Sequence, residues 1–373
     1  MSLFISLPLL LAVSGAPMGA PDRRTLGAWV EEAAGRIESA YWMPERRLYA
    51  DFVKPDGKAG EDPCFLWGMG VLLSGYAAAI PANPARFRPL FEQAFRAIEA
   101  YWSEARGIGG YAVWPRQADP DRYHDDNAWV ALALTEAYEA TRLPAYLKRA
   151  VEAHRFVMSG EDEKLGGGLY WHETNRKSKN ACSCGPAIVT ALRLYLLTQD
   201  RTYLDQALRL RDWMRRTLQD PEDGLYWDNV AMDGKVERTK WTYNTALMIR
   251  AECLLFDATG KEEHRTEALR VAQAAWKRWF DPQLVTLQDE GQFAHHLFEA
   301  FLEVGRVAKD PGWASRALPV LLFVHDRTRD PRGFYGHRWD RAPETDRKRF
   351  QLLHQASALR AYAYALVHGG TLR

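Results

Sequence analysis

The chain is poor in cysteine, in net charge and in long apolar runs, and each shortage removes a class of protein. Four cysteines, Cys64, Cys182, Cys184 and Cys253, stand among 373 residues. They are too few and too scattered for a disulfide framework, and the pair at Cys182 and Cys184 lacks both the two-residue spacing and the second ligand pair of a zinc site. They read as small buried thiols. Lys plus Arg number 49 against 48 for Asp plus Glu, so no strong field is available to hold nucleic acid or an anionic membrane, and a neutral partner fits better. The apolar stretch from Leu3 to Val13 is too short to span a bilayer as a helix. Followed by Ser14, Gly15 and Ala16 and then by Gly19 and Ala20, it reads as a signal peptide over residues 1–20. The expectation is a secreted or periplasmic protein whose mature form, residues 21–373, is one domain without a membrane span. Alternating strand patterns are scarce as well.

Hydrophobic residues make up 47% and charged residues 26% of the chain, proportions of a compact globular protein. The 14 Trp and 16 Tyr fall largely in polar, glycine-containing stretches. Flat rings with polar edges there suit either core packing or the C–H faces of sugars.

Apolar periodicity predicts a dozen helical segments of two kinds. Segments at 25–42, 84–102, 144–158, 202–217, 262–279 and 312–326 are amphipathic, as in Tyr203, Ala207, Leu210 and Met214, and belong to an outer layer. Segments at 63–79, 125–140, 182–198, 243–257, 291–307 and 349–367 are apolar or small on nearly all sides and belong inside. The inner segments begin 48 to 62 residues apart. A helical pair repeated six times at so regular a period closes into a ring, an all-α (α/α)6 barrel. Inner-to-outer turns are short. Outer-to-inner connections are long and carry Arg47, Leu48, Tyr49; Gly109, Gly110, Tyr111; Gly168, Leu169, Tyr170, Trp171; Gly224, Leu225, Tyr226, Trp227; and Gly333, Phe334, Tyr335. All the long loops therefore gather at the rim where inner helices begin, among free amides and helix dipoles, and the site is expected there.

Asp125 and Asp126 open an inner segment on that rim. Paired acids at a helix start serve commonly as caps. They also suit glycoside hydrolysis, in which two carboxyl groups flank the anomeric carbon. Repulsion between them raises one proton affinity while helix amides favour the other's charge, so one place supplies both protonation states. His124 with the two Asp residues defines no second ligand group for a metal, and none is expected.

The run Asp125, Asp126, Asn127, Ala128, Trp129 with Glu136, Ala137, Tyr138, followed by Gly167 to Trp171, Lys179, Asn180, Ala181 and Gly185, resembles the family-76 glycoside hydrolases. These are the endo-acting alpha-1,6-mannanases and their fungal cell-wall transglycosidase relatives. Thr242, Tyr243, Asn244, then Arg338, Trp339 and Gln355 to Leu359, extend the likeness over about 70–370. The resemblance implies a retaining hydrolase of alpha-1,6-linked mannose polymers, with Asp125 as nucleophile and Asp126 as acid/base and with no cofactor. Sugar contacts are expected from Trp67, Asn127, Trp171, Lys179, Asn180, Tyr243, Asn244 and Trp339. The chain departs from the family where Cys184 stands in place of an amide and around Phe65, Leu66 and Trp67, where a more aromatic stretch is expected. Two other readings stand beside this one. One is a sugar epimerase on the same toroid using His295 and His296, with His337 and His354 nearby; the other is a glycan-binding toroid without catalysis. Transglycosylation stays open, and a monomer is expected.

Overall fold

The computed structural model describes residues 19–369, so the expected leader lies outside the described residues save for its last two positions. In chain order the helices are α1 (Arg23–Tyr41), α2 (Leu66–Ala79), α3 (Pro84–Ile98), α4 (His124–Thr141), α5 (Pro144–Met158), α6 (Ala181–Thr198), α7 (Arg201–Thr217), α8 (Thr242–Thr259), α9 (Glu262–Trp279), α10 (Gly291–Ala308), α11 (Gly312–Ala317), α12 (Pro319–Arg327) and α13 (Leu352–His368). Helices α2, α4, α6, α8, α10 and α13 each pack on the next, and α13 returns to α2. The inner ring of the (α/α)6 toroid is closed. The outer segment expected as one helix at 312–326 is two, because Pro319 cannot donate the hydrogen bond that would continue α11 and instead takes a first-turn position of α12.

Burial separates the layers as the sequence pattern requires. Helix α13 is buried at every position from Leu352 to Leu366, whereas α3 buries Phe87, Leu90, Phe91, Ala94, Ala97 and Ile98 on one stripe. Helix α6 is apolar enough to cross a membrane by composition, but 72% of it is buried in the ring. Its hydrophobicity belongs to the core. The turns leaving α4, α6, α8 and α10 each use one left-handed residue, Arg142, Gln199, Gly260 and Lys309. That single residue turns the chain back along the ring.

The long connections, 42–65, 99–123, 159–180, 218–241, 280–290 and 328–351, lie together at the N-terminal ends of the inner helices. Several form short antiparallel ladders, and Ser178–Asn180 pairs with Asn229–Ala231 so that Asn180 faces Asn229. A recurrent latch joins loop to helix. Three residues after the first of their helices, Asn127, Thr245 and Gln355 accept the amides of Tyr111 (2.7 Å), Tyr226 (3.1 Å) and Tyr335 (2.8 Å). At the same position of α6, the Cys184 sulfur accepts from Leu169 at 3.2 Å. The departure from an amide at Cys184 is thus a change of acceptor within one structural role.

Charges fill the axis of the ring. Arg250, Glu299 and Arg360 lie eight residues after Thr242, Gly291 and Leu352, the first residues of their helices; Glu136, Arg193 and Glu303 lie twelve after His124, Ala181 and Gly291. All six are buried or nearly so. Arg360 is bidentate to Glu299 at 2.7 and 2.9 Å and also binds both oxygens of Glu136. Arg250 reaches Glu303 at 2.9 Å and Glu299 at 3.2 Å, and Arg193 reaches Glu136 at 3.3 Å. Burial opposes the charge of Glu136, but Arg360, Arg193 and Arg250 outweigh it and bring its carboxyl down to about 2. Removing one partner leaves a buried charge uncompensated, so Arg360→Met is expected to cost about 3–5 kcal/mol of stability in denaturant unfolding; a loss below about 1 kcal/mol would deny the network its role.

Buried imidazoles add a pH dependence. Burial pushes His124, His154 and His295 down to about 4 and His354 to about 3. In the unfolded chain they take protons near the ordinary value of about 6.5, so between these limits the unfolded state binds more protons. Their contribution is full above about pH 6.5 and is lost as pH falls towards 4. Thermal unfolding scans should show Tm dropping over that window, and a flat Tm would contradict neutral burial.

Candidate active site

A cavity of about 640 Å³ opens among the long loops. Asp125 and Asp126 share its floor with Trp129. The pair does not cap α4: Tyr123 is the N-cap and makes no side-chain capping bond. The two carboxylates are instead treated unequally. The Trp171 indole donates to Asp125 Oδ2 at 2.8 Å, while Asp125 Oδ1 has no partner. Among the described residues, no hydrogen bond to the Asp126 carboxylate is found. Burial pushes Asp125 up to about 6, and the Trp171 bond, the amides of the first helical turn and the Cys182 thiol hold it from rising further. Burial raises Asp126 well above the ordinary carboxyl range, and the negative Asp125 and Asp121 raise it further. Asp126 is the member that keeps its proton.

The walls are aromatic. Trp67 stacks on Phe293 at 5.7 Å, Phe293 on Tyr243 at 4.5 Å, and Phe65 bridges Trp67 and Trp114 at 6.3 Å each. Trp171 and Trp114 remain 44% and 39% exposed, so large faces are left open to a ligand. Asp228 adds a third carboxylate, fixed by Asn229 Nδ2 at 2.8 Å and Asn244 Nδ2 at 3.2 Å and raised by burial. No lysine, arginine or histidine is found among the lining side chains of the described residues.

Of the expected sugar contacts, Trp67, Trp171, Asn180 and Tyr243 line the cavity with the carboxylate pair. The other four do not. Asn127 is buried and spends its amide on Tyr111 and on the Tyr123 carbonyl. Lys179 is buried, with its ammonium on the carbonyls of Asp162, Lys164 and Gly167 and on the Asp162 carboxylate at 2.6 to 2.9 Å. Asn244 acts one step back, through Asp228, and Trp339 is 1% exposed beneath Gly291. Asn127, Lys179 and Trp339 answer backbone or packing demands at helix entries, and Asn244 holds a carboxylate of the wall. Conversely, Asp121, Asp228, Trp241 and Phe293 line the cavity without having been singled out. Asp228 follows Trp227 in the Gly, Leu, Tyr, Trp loop, where a residue after the repeated motif carried the signal.

The histidines stand elsewhere. His296 lies beneath the floor, stacked on Trp129 at 4.5 Å, with His295 against it at 3.8 Å. Both are buried and driven towards the neutral form chiefly by burial. Glu299, next to them, has its two oxygens taken by Arg360 and Arg250. His337 and His354 also lie outside the cavity lining. Among the described residues, no imidazole lines the cavity.

Carboxylates in an aromatic cleft at the loop-bearing end of a six-hairpin toroid are the equipment of a carbohydrate-active enzyme of the (α/α)6 class. Comparison with known proteins narrows the class. Glycosyl hydrolase family 76 matches residues 44–369, and the chain belongs to that family. A GH76 alpha-mannanase of Bacteroides thetaiotaomicron is 30% identical with a TM-score of 0.86, over 91% of this chain and 95% of that one. The meiotically up-regulated gene 191 protein of Schizosaccharomyces pombe is 29% identical over 53% of this chain, and the mannan endo-1,6-alpha-mannosidase DCW1 of Candida glabrata is 30% identical over 39%. The matched stretches span 48% and 36% of those relatives' own lengths. A D-mannose isomerase shares the fold, with a TM-score of 0.76, at 15% identity. The toroid alone therefore does not fix the chemistry.

Replacing the indole donor tests the inequality of the pair. In Trp171→Phe the Asp125 carboxyl, followed through its 13Cγ resonance, should titrate at higher pH. An unchanged or lower titration would show that the indole does not favour the charge.

Proposed function

We propose that the protein is a retaining, endo-acting glycoside hydrolase of alpha-1,6-mannosidic linkages, with Asp125 as nucleophile and Asp126 as acid/base. The observation that carries this is the unequal provision of the two carboxylates: one oxygen of Asp125 accepts from Trp171 and the other is buried without a hydrogen-bond partner, whereas among the described residues the Asp126 carboxylate receives no hydrogen bond and faces negative charge. Asp126 protonates the glycosidic oxygen as Asp125 attacks the anomeric carbon, the C–O bond to the leaving sugar breaks, and a mannosyl ester forms. Water then attacks the same carbon, gives its proton to Asp126 and releases Asp125. Both groups return to their starting states. The aromatic walls, with no cationic side chain in the lining among the described residues, suit a neutral glycan. The mannanase among the similar structures and the endo-1,6-alpha-mannosidase among the relatives support mannose and the linkage. Trp67, Trp171, Asn180 and Tyr243 are the side chains we assign to sugar contact, and action outside the cytoplasm after removal of the leader belongs to the same proposal.

Linear alpha-1,6-mannan digested with wild type, Asp125→Asn and Asp126→Asn decides the reading. Wild type should release short oligosaccharides with the alpha anomer first by proton NMR, and each variant should lose at least about a thousandfold in kcat. Added acceptor sugars separate transfer from hydrolysis. A first-formed beta anomer, a fully active Asn variant, or tight binding with no turnover would overturn the mechanism. Amino-terminal sequencing of protein from the culture fluid or periplasm should find the leader gone; recovery only inside the cytoplasm, leader intact, would refute export.

A further inference from the structure

The loop segment 121–124 that leads into α4 is zipped antiparallel to residues 171–173. His124 N–H donates to the Trp171 carbonyl at 2.8 Å, Glu173 N–H donates to the Arg122 carbonyl at 3.1 Å, and Tyr123 opposes His172 between them. Alternation along this short strand gives each of two carboxylates one donor. Trp171 serves Asp125, and His172 serves Asp121, with Nε2 at 2.6 Å from Oδ1. The tautomer is determined by the backbone: His172 Nδ1 accepts the amides of Asn175 at 2.7 Å and Thr174 at 3.1 Å, so the ring proton sits on Nε2 and points at Asp121. The Tyr123 ring packs edge-on against the imidazole at 4.6 Å. The next residue, Glu173, is clamped by the fully buried Arg122 at 2.9 Å and by Arg106 at 3.1 Å. Asp121 is thus tied to His172 in the wall of the cavity that Asp126 also lines.

We propose that Asp121 is a positioning residue for the reaction: clamped by His172, it presents a fixed negative charge that keeps the proton on Asp126 before the first step and strengthens Asp126 as a base in the second. This rests on the assignment of Asp126 as acid/base. The remaining ionisable groups around Asp126 are Asp125 on its own helix, Tyr123 ahead of it, Cys182 on α6, Asp228 before α8 and Tyr243 on α8. Burial raises Cys182 and Tyr243 far above their ordinary values, so they are neutral at working pH. Asp228 is engaged by Asn229 and Asn244, and of the carboxylates beyond the pair it is Asp121 whose charge bears on Asp126. The charge of Asp125 is consumed when the mannosyl ester forms. That of Asp121 persists, and it is then the field that helps Asp126 take a proton from the attacking water.

The test compares wild type with Asp121→Asn, Asp121→Glu and His172→Leu by two readouts. In pH profiles of kcat/KM on alpha-1,6-mannan, Asp121→Asn should move the alkaline limb down by about 0.5–1 pH unit and leave the acid limb in place. Asp121→Glu should restore it, and His172→Leu should shift it part of the way. Without substrate, the 13Cγ resonance of Asp126 should titrate at correspondingly lower pH in the Asn variant. An alkaline limb and an Asp126 titration both unchanged in Asp121→Asn overturn the proposal, and a raised KM with an unmoved limb would make Asp121 a sugar contact instead. If wild type leaves mannan untouched, the proposed function fails while the Asp126 titration still decides this inference.

Discussion

The buried charge network on the axis of the toroid is the constraint on which the rest of the structure depends. Three carboxylates and three guanidinium groups drawn from α4, α6, α8, α10 and α13 can all be satisfied only if each helix is turned so that its charged position points at the axis. Turning a helix fixes everything else on it. Trp129, Leu132 and Glu136 lie four, seven and eleven residues after Asp125 on α4, and at 3.6 residues per turn the four form one stripe. Pointing Glu136 at Arg360 therefore points Trp129 at the ring centre and Asp125 at the floor of the cavity above it.

The loops add what the helices do not supply. Polar residues three places into α4, α8 and α13, and a cysteine in α6, take up amides of the connections above them, so long loops that carry little secondary structure are tied to rigid supports. On such supports a short strand can place donors selectively. The strand at Trp171 and His172 gives one donor to Asp125, one to Asp121 and none to Asp126. Neighbouring carboxylates on one helix turn come to differ in proton affinity because of hydrogen bonds delivered from a different part of the chain.

The residues legible in the sequence were those governed by periodicity or by the distinctive pair. The six-hairpin ring, its loop-bearing rim, Asp125 and Asp126, and the wall residues Trp67, Trp171, Asn180 and Tyr243 all stand where the pattern placed them. Lys179, Asn127, Asn244 and Trp339, expected beside them, stand outside the cavity lining for one physical reason. A polar or aromatic side chain at a helix entry can serve a ligand or another part of the protein, and sequence shows the residue but not which partner lies beside it. Asp121, Phe293 and Trp241 were missed for the complementary reason: their neighbours in space are distant in sequence, and nothing in their own surroundings marks them.

By itself the sequence determined the helical repeat, the separation of inner from outer helices and the rim on which function gathers, because these follow from local spacing of apolar residues and turns. It also marked the carboxylate pair. Only the tertiary structure decided which polar residues reach the cavity and which are spent on loops, that His295 and His296 are buried beneath its floor, and that Asp125 and Asp126 are unequal. Burial and hydrogen bonding set those properties, and residues distant in the chain make them: Trp171 donates to Asp125 across 46 positions, and Trp67, Tyr243 and Phe293 join it in the walls. No local pattern can carry them.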